Sequence, residues 1–415
     1  MAILKPFKGF RPVANKAKAV ASRPYDVLDS DEAREEVKGN PDSFLYVVKP
    51  EIDLPEDIDH YAPEVYQKAK DNFEKLVASG AFFQDKTDCL YIYRQEMDNQ
   101  YQTGIVGCAA VEDYLNDIIK KHELTRPDKE EDRKNHVRVA NMNAEPVFFA
   151  YPAVAEIDAI VEEVKQGEPV YDFLADEGFG HTFWVLDDPE KIARIVDLFA
   201  KKVPFTYVAD GHHRTAAAAL VGAERKADNP AHKGDEEYNF FLAVHFPDNQ
   251  LRIIDYNRVV KDLNGLSSAD FLAKLAERFT VQAQGAGTYK PDRLHNFSMY
   301  LDGQWYSLTA KAGTYDDSDP IGVLDVTILS AQVLAPLPGI TDLRRDKRID
   351  FVGGIRGLGE LKRRVDSGEM RAAFALYPVS MQQLIDIADT GNIMPPKTTW
   401  FEPKLRSGLV VHMLD

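Results

Sequence analysis

The sequence predicts an α/β fold built on a mixed sheet, with an α+β arrangement as the alternative. Two observations predict it. Short apolar strand patterns alternate with amphipathic helical patterns along most of the chain, which is typical of sheets covered by helices. Other strand patterns are separated only by short turns, such as Asp302-Gly303, and such hairpins bring antiparallel pairs into a sheet. A mixed sheet with helices satisfies both observations.

The clearest element in the first third of the chain is an amphipathic helix at residues 62–79. Its apolar side chains recur every three or four residues, Pro63 lies near its start, and Gly80 follows its end. This third also predicts strands at 89–95 and 101–111, joined by a turn at 97–99, and a helix in the second half of the polar segment 120–141.

The rest of the chain alternates strand and helix patterns. A buried strand at 203–209 leads at once into Asp210–Arg214 and an alanine-rich helix that continues to about Ala227. Two hairpins are predicted, 240–246 with 251–259 and 298–301 with 305–309. The other predicted strands are 148–152, 182–186, 350–353, 372–376 and 408–413, and the other predicted helices are 155–165, 189–201, 267–279, 359–366 and 380–389.

Length and composition limit the domain organisation and the class of protein. The 415 residues correspond to two or three domains at about 150 residues each. Weak boundaries in the element pattern near 140–150 and 265–320 predict an N-terminal α/β region at 1–145, a core at 146–265 that contains the Asp210–Arg214 segment, and a C-terminal α/β region at 266–415 that completes the site.

The charge and the cysteines exclude several function classes. The 50 basic and 67 acidic residues give a net charge of −17, which argues against a nucleic-acid or membrane-surface binder. No signal peptide or membrane-spanning run is recognisable. Cys89 and Cys108 are too few and too isolated for a disulfide framework or a thiolate zinc site. We therefore expect two reduced thiols in a cytoplasmic protein.

The sharpest local signal is the strand-to-helix junction Val203–Leu220, which reads VPFTYVADGHHRTAAAAL. A helix that begins directly after Asp-Gly leaves backbone N–H groups at the positive end of its dipole, which suits a phosphate. Gly211 permits a sharp bend, and the side chains of residues 212–214 add hydrogen-bond donors. Two alternatives are that Asp210 is only a helix N-cap, with the histidines in a surface turn, and that the two histidines bind a metal ion.

A second group of polar residues begins with Lys121-His122-Glu123-Leu124-Thr125. Lys129, Asp132, Arg133 and His136 follow at spacings that place them on one helix face. That face is either solvated or lines a polar pocket. Because residue 126 is arginine, the two-histidine zinc motif HExxH is absent. Glu123 is a candidate base for a hydroxyl nucleophile, and Lys129 or Arg133 could neutralise phosphate.

Two further segments carry ligand-binding types of side chain. Arg23 and Asp26 flank the stiff Pro24-Tyr25 turn and could both face a ligand, or they could form a local ion pair. Residues 395–404 are held extended by prolines and carry Lys397, Trp400 and Lys404, which suit an anionic or nucleotide ligand. The alternative for this segment is a strap that packs on the core. No Walker A or protein-kinase motif is present.

The DGHHR segment resembles the phosphate-binding box of the ParB/sulfiredoxin superfamily. The reactive cysteine of sulfiredoxin is replaced by His212, and no DNA-binding helix-turn-helix like that of ParB follows. The His-His-Arg version is similar to that of the superfamily's free-serine kinases. Over nearly its whole length the chain also resembles a large prokaryotic family catalogued as a domain of unknown function. The matching blocks are RPYDVL (23–28), KKHELTRPDKEEDR (120–133), YVADGHHRTAAA (207–218) and MPPKTTWFEPKLRSGL (394–409).

The resemblance implies a kinase that transfers the γ-phosphoryl group of ATP, with Mg²⁺, to the hydroxyl of free L-serine. A nucleotide-sensing protein without kinase activity is the alternative, and a hydrolase is a weaker one. The partners implied are a nucleotide and a small hydroxy amino acid, without nucleic acid or membrane. Asp210 and Asp26 are rivals of Glu123 for the role of base or for contact with Mg²⁺, and the metal ligands stay open. The residues implied are Glu123, Asp210 and His212 for catalysis, Gly211, His213, Arg214, Thr215, Lys129, Arg133, Lys397 and Lys404 for phosphate and nucleotide, and Arg23, Asp26, His122, Thr125 and Trp400 for the acceptor.

Overall fold

The computed structural model describes all 415 residues and divides the chain into two compact units. The first unit is Met1–Leu251 together with Pro403–Asp415, and the second is Arg252–Glu402. The predicted mixed α/β architecture is confirmed. The division near residues 145 and 265 stays a prediction from the sequence. None of the helices combines the length and the apolar character needed to cross a bilayer.

The first unit is built on a nine-stranded mixed sheet. Most neighbouring strands are antiparallel, but Thr206–Asp210 runs parallel to Ile119–Lys120, and Phe240–Pro247 runs parallel to Val147–Tyr151. The strand order is Ile119–Lys120, Thr206–Asp210, Val147–Tyr151, Phe240–Pro247, Gln100–Ala110, Leu90–Met97, Gly180–Leu186 and Tyr171–Leu174, and Leu4–Lys5 also pairs with Gln100–Ala110. The bend at residue 211 therefore follows a strand that has neighbours on both sides.

Helices cover this sheet and follow the predicted patterns closely. Pro63–Ala78 buries one apolar stripe that includes Val65, Ala69 and Phe73, and the chain reverses at Gly80 with φ +76°. The other helices of the first unit are Ala17–Val20, Ser30–Glu36, Leu45–Val48, Val111–Leu115, Pro127–Ala140, Ala155–Val164, Pro189–Lys202 and His212–Asp228.

The alanine-rich helix His212–Asp228 packs tightly on the sheet. Ala218 and Ala219 join a buried cluster with Val208 and Phe149 from the strands beneath. Small side chains let the helix backbone approach the sheet closely. The position of the helix N-terminus is consequently fixed by packing along its length.

Two predicted strand arrangements need correction. The predicted hairpin of 240–246 with 251–259 is wrong, because Phe240–Pro247 pairs within the first unit while Tyr256–Val260 pairs with Ile349–Gly353 and Ala372–Ala375 in the second. The intervening Asp248–Gln250 is a short 3₁₀ turn after which the chain enters the second unit. The predicted strand 408–413 is formed only at His412–Met413, which pairs with Met142–Asn143.

The second unit contains a six-stranded sheet whose neighbours are all antiparallel. The predicted hairpin across Asp302-Gly303 is confirmed. The strand order is Phe279–Gly285, Gln304–Ala310, Asn296–Leu301, Ala372–Ala375, Tyr256–Val260 and Ile349–Gly353. Its helices are Ser268–Arg278, Asp325–Leu329, Gly357–Asp366 and Met381–Asp389, with a π-helical turn at Ser330–Leu334. Small two-stranded sheets pair Ile253–Ile254 with Trp400–Phe401 here, and Phe10–Pro12 with Phe82–Gln84 in the first unit.

Candidate functional site

The bend between strand Thr206–Asp210 and helix His212–Asp228 is formed by a glycine in the left-handed region. Gly211 has φ +92° and occupies the N-cap position, and no side chain caps the helix. The sequence alternative in which Asp210 caps the helix is therefore wrong. The hydroxyl and the amide of Thr215 both donate to the Gly211 carbonyl, at 2.9 and 2.8 Å. The amides of the first helical turn, which have no partner within a helix, lie at the positive end of its dipole.

Asp210 binds two cations instead of capping the helix. Its carboxylate accepts hydrogen bonds from Arg214 Nη2 at 2.9 Å and Lys404 Nζ at 3.0 Å. Burial raises the pKa of Asp210, but the charges of Lys404 and Arg214 outweigh burial and lower the pKa to about 2. Asp210 is thus ionised at neutral pH and fixes Lys404, from the distant C-terminal segment, at the bend.

Arg214 is buried and packs against the bend at Gly211. Its side chain is 7 % exposed, and its Nη1 donates to the carbonyl of Pro146 at 2.7 Å. A Cβ atom placed on Gly211 would lie 3.1 to 3.2 Å from the Arg214 guanidinium. The guanidinium is therefore hydrogen bonded on two sides and lies directly against the backbone of the bend.

Two buried histidines meet at the start of the helix. The rings of His122 and His212 are in edge contact with centroids 4.5 Å apart. Burial lowers the pKa of His122 to about 4 and lowers the pKa of His212 well below its usual value. Both imidazoles are consequently neutral at neutral pH. His212 Nε2 is buried without a hydrogen-bond partner, while its Nδ1 lies 3.9 Å from a carboxylate oxygen of Glu123.

His213 links the bend to the polar segment before the helix Pro127–Ala140. Its Nε2 accepts a hydrogen bond from the backbone N–H of Arg126 at 3.0 Å, so the proton of the neutral ring resides on Nδ1. In the same segment the Thr125 hydroxyl donates to Glu130 at 2.8 Å. These contacts place Glu123, which is 39 % exposed, next to the bend.

A buried charge cluster joins the N-terminal segment to the same region. Arg133 pairs with Asp132 at 2.9 Å, and its guanidinium lies 4.1 Å from the ring centroid of Tyr25. The backbone N–H of Tyr25 donates to Glu145 at 3.0 Å. Burial lowers the pKa of His213, while the nearby charge of Asp26 raises it. The exposed Asp26 therefore lies close enough to the bend to act on it electrostatically.

Other predicted residues have their own partners. Arg23 forms ion pairs with Glu36 and Glu177 and not with Asp26, and Asp29 caps the helix that follows. The local ion-pair alternative for Arg23 and Asp26 is therefore wrong. Lys129 Nζ lies 3.4 Å from the hydroxyl of Tyr61.

Two predicted residues belong to the second unit. The ring of Trp400 and the ammonium group of Lys397 both contact Tyr256 there. Their assignment to the ligand stays a prediction.

The first unit thus brings together Asp26, Glu123, Arg133, Lys404 and the bend, although long stretches of sequence separate them. Sequence reasoning did not single out Glu145, which is 8 % exposed. The available signal was a charged residue two positions before the apolar strand Val147–Tyr151. A cavity of about 20 Å³ beneath the bend is lined by Arg133, His136, Asn143, Glu145 and Arg214, among others, and this is enough for one water molecule.

The side chains alone do not form a metal centre, since no group of three or more His, Cys, Asp or Glu residues is arranged to hold an ion. Carboxylates are nevertheless available near the bend in Asp26 and Glu123. Mg²⁺ typically binds one or two carboxylates together with the phosphates of a nucleotide. These residues therefore fit an ion that arrives with a nucleotide, and not a resident ion held by protein ligands alone.

Comparison with known proteins identifies a family and several solved structures of low similarity. Residues 4–327 match the family model described as "Protein of unknown function (DUF1015)", and no curated protein matches the chain. A structure of free serine kinase in complex with AMP is 12 % identical, with a TM-score of 0.36 over 75 % of this chain and 91 % of that one. A conserved hypothetical protein from Pyrococcus furiosus is 13 % identical, with a TM-score of 0.35 over 74 % and 95 %. SbnI from Staphylococcus aureus, truncated at its C-terminus, is 11 % identical, with a TM-score of 0.39 over 74 % and 87 %.

Proposed function

We propose a function for this chain, which belongs to the DUF1015 family of proteins of unknown function: it is a small-molecule kinase that transfers the γ-phosphoryl group of ATP to the hydroxyl of free L-serine. The observation that carries the proposal is the bend at Gly211, a helix N-terminus without a side-chain cap, with Lys404 hydrogen bonded to Asp210 and Glu123 3.9 Å from His212. Free L-serine as the acceptor comes from the resemblance of the DGHHR segment to that of free-serine kinases.

The bend supplies the phosphate site. The first-turn amides and the helix dipole favour an anion at this point. Gly211 supplies the left-handed backbone of the bend without a Cβ atom against Arg214. Lys404 adds a positive charge that Asp210 holds in place.

Glu123 is the proposed base. Phosphoryl transfer depends mainly on positioning and charge stabilisation, with a group near the attacking hydroxyl to accept its proton. Asp210 is a poor choice because two cations hold its pKa at about 2. Glu123 faces the neutral His212, and 39 % of its side chain is exposed. It can therefore be approached by a substrate hydroxyl.

The proposed reaction forms one bond to the γ-phosphorus and breaks another. Glu123 accepts the proton of the serine hydroxyl, the serine oxygen forms a bond to the γ-phosphorus, and the bond from that phosphorus to the bridging oxygen of ADP breaks. Mg²⁺, when bound, neutralises charge on the phosphates. The exposed carboxylate of Asp26 is the proposed partner for the ammonium group of the acceptor. Lys129 and Arg133 are proposed to contribute positive charge, and Thr125, Arg23 and His122 to line the acceptor side.

The test is a product assay with the purified full chain. The protein is incubated with ATP, Mg²⁺ and a panel of free amino and hydroxy acids, and phosphorylated products are identified by mass spectrometry. We expect O-phospho-L-serine and ADP in equal amounts. Nucleotide binding without any phosphorylated product would contradict the kinase and favour the sensing alternative.

A variant then tests the role of Glu123. Glu123→Gln preserves the shape of the side chain but cannot accept a proton, so we expect turnover to fall at least ~100-fold while the Kd of ATP changes less than about threefold. Glu131→Gln, an exposed carboxylate of the helix Pro127–Ala140 that pairs with Lys134, is the matched control and should retain turnover. Near-normal turnover of Glu123→Gln would remove it from the role of base.

A further inference from the structure

Glu145 is a buried carboxylate that touches three segments far apart in the sequence. One of its oxygens accepts a hydrogen bond from the Tyr25 backbone N–H at 3.0 Å and lies 3.5 Å from the Ser407 hydroxyl. The other oxygen lies 3.7 Å from Nη1 of Arg133. The side chain is only 5 % exposed, so a bound substrate cannot readily contact it.

Glu145 and Arg133 both contact Tyr25, in the turn that carries Asp26. Glu145 holds the backbone of Tyr25, while Arg133, the same residue that faces Glu145, covers the ring of Tyr25 at 4.1 Å. Pro24 restricts the backbone on the preceding side. Asp26 itself is exposed, so its carboxylate depends on its neighbours in the chain for its position.

The hydrogen bonds on the phosphate side of the bend use other groups. Burial lowers the pKa of Arg214, although the charge of Glu145 also acts on Arg214 and raises its pKa. Arg214 donates to Asp210 and to the carbonyl of Pro146, and Thr215 closes the first turn on Gly211. None of these hydrogen bonds uses the carboxylate of Glu145. A small displacement of Glu145 should therefore move the turn at Tyr25 more than it moves the bend.

We propose that Glu145 is a positioning residue that fixes Asp26 at the acceptor side of the bend through its hydrogen bond to the Tyr25 N–H. The proposal rests on the proposed kinase function, in which Asp26 binds the acceptor. A misplacement of about 1 Å at such a site can cost on the order of 100-fold in rate. The expected signature is a rise in the KM of the acceptor without a matching rise in the KM of ATP.

Two variants separate the reach of the side chain from its charge. Glu145→Asp keeps the negative charge opposite Arg133 but is one methylene shorter. The substitution therefore moves the carboxylate oxygen away from the Tyr25 N–H that donates to it. Glu145→Gln keeps the length and a carbonyl oxygen for that bond but removes the charge. Glu51→Asp is the matched control, because Glu51 is a comparably buried carboxylate at 7 % exposure that pairs with Lys49 and Ser30.

We expect Glu145→Asp to raise the KM of L-serine at least ~10-fold, with the KM of ATP changed less than about threefold. We expect Glu145→Gln and Glu51→Asp to remain within about threefold of the wild type in both constants. The proposal is overturned if Glu145→Asp leaves the KM of L-serine within about twofold, if both KM values rise equally, or if Glu145→Gln is impaired more than Glu145→Asp.

Hydrogen exchange supplies a readout that does not need turnover. In the full chain, the peptide covering residues 22–28 should exchange faster in Glu145→Asp than in the wild type and at the wild-type rate in Glu145→Gln. Unchanged exchange in Glu145→Asp would also overturn the proposal. If the wild type forms no phosphoserine, the proposed function fails, while the exchange data still decide whether Glu145 holds Tyr25.

Discussion

Substitution of Gly211 by alanine tests whether the bend depends on the absence of a side chain. Gly211 has φ +92°, a conformation that costs an L-residue with a Cβ atom about 1–2 kcal/mol. The new Cβ would also lie 3.1 Å from Nε of Arg214 and 3.2 Å from its Cζ and Nη2. The backbone strain and the crowding against Arg214 both arise at residue 211.

Movement of the Arg214 guanidinium away from the added methyl group would cost free energy, because it would disturb the hydrogen bonds of that group. The guanidinium is hydrogen bonded to Asp210 and to the Pro146 carbonyl on opposite sides. Crowding in a packed region costs about 1–3 kcal/mol, so together with the backbone strain of about 1–2 kcal/mol we expect Gly211→Ala to lower the free energy of unfolding by about 2–5 kcal/mol in total. If the peptide at residue 211 rotates to relieve this crowding, the amides of the first helical turn point away from the phosphate position.

Gly80→Ala is the matched control. Gly80 has φ +76°, and nothing lies within 4 Å of its added Cβ, so this variant carries the backbone strain without the crowding. We expect it to lose only about 1–2 kcal/mol and to bind nucleotide as the wild type does.

The assay combines urea denaturation, followed by circular dichroism, with titration calorimetry of ATP in the presence of Mg²⁺. We expect Gly211→Ala to weaken ATP binding at least ~10-fold, equivalent to about 1.4 kcal/mol. If Gly211→Ala loses no more stability than Gly80→Ala and binds ATP normally, then neither the close contact with Arg214 nor the phosphate site exists as described.

Three further outcomes follow from the charges at the bend. The folded-state pKa of Asp210 is about 2 against a reference of 3.8, so its ionised form contributes stability that is fully present above pH 3.8 and is lost as the pH falls through about 2. The stability difference between the wild type and Asp210→Asn should accordingly shrink by about 2 kcal/mol between pH 5 and pH 2, and a difference that does not change with pH would contradict the pairing. Burial lowers the pKa of His122 to about 4 and that of His212 well below its usual value, so neither ring should titrate between pH 8 and pH 5.5 in NMR spectra; a titration there would contradict their burial. Lys404→Met should weaken ATP binding more at low than at high salt because it removes a charge, and equal binding by the variant would exclude Lys404 from the phosphate site.

Much of the local structure was predictable because it depends on neighbouring residues. The apolar spacing, Pro63 and Gly80 place the helix Pro63–Ala78 within a residue or two of the prediction. The same holds for the strand-to-helix junction at Gly211, where a glycine follows an apolar strand and precedes alanines. The predicted strand 203–209 begins later, at Thr206, since Pro204 cannot donate a ladder hydrogen bond.

Strand pairing and charge pairing were less predictable because they depend on distant residues. The turn at Asp248–Gln250 has the residues of a hairpin, but the two flanking strands find partners in different units. The Asp210–Lys404 pair joins residues 194 positions apart, and nothing local in the sequence marks it. Glu145 escaped notice for the same reason, since its partners Tyr25, Arg133 and Ser407 come from three separate segments.

The most direct test of the central claim, that the Gly211 bend binds phosphate, is a crystal structure of the full chain with Mg²⁺ and a non-hydrolysable ATP analogue. We predict phosphate oxygens within hydrogen-bonding distance of the backbone amides at residues 211–214, with Lys404 and Glu123 beside them. Phosphates bound elsewhere on the chain, or a crystal without bound nucleotide at a concentration well above that of the protein, would contradict the account.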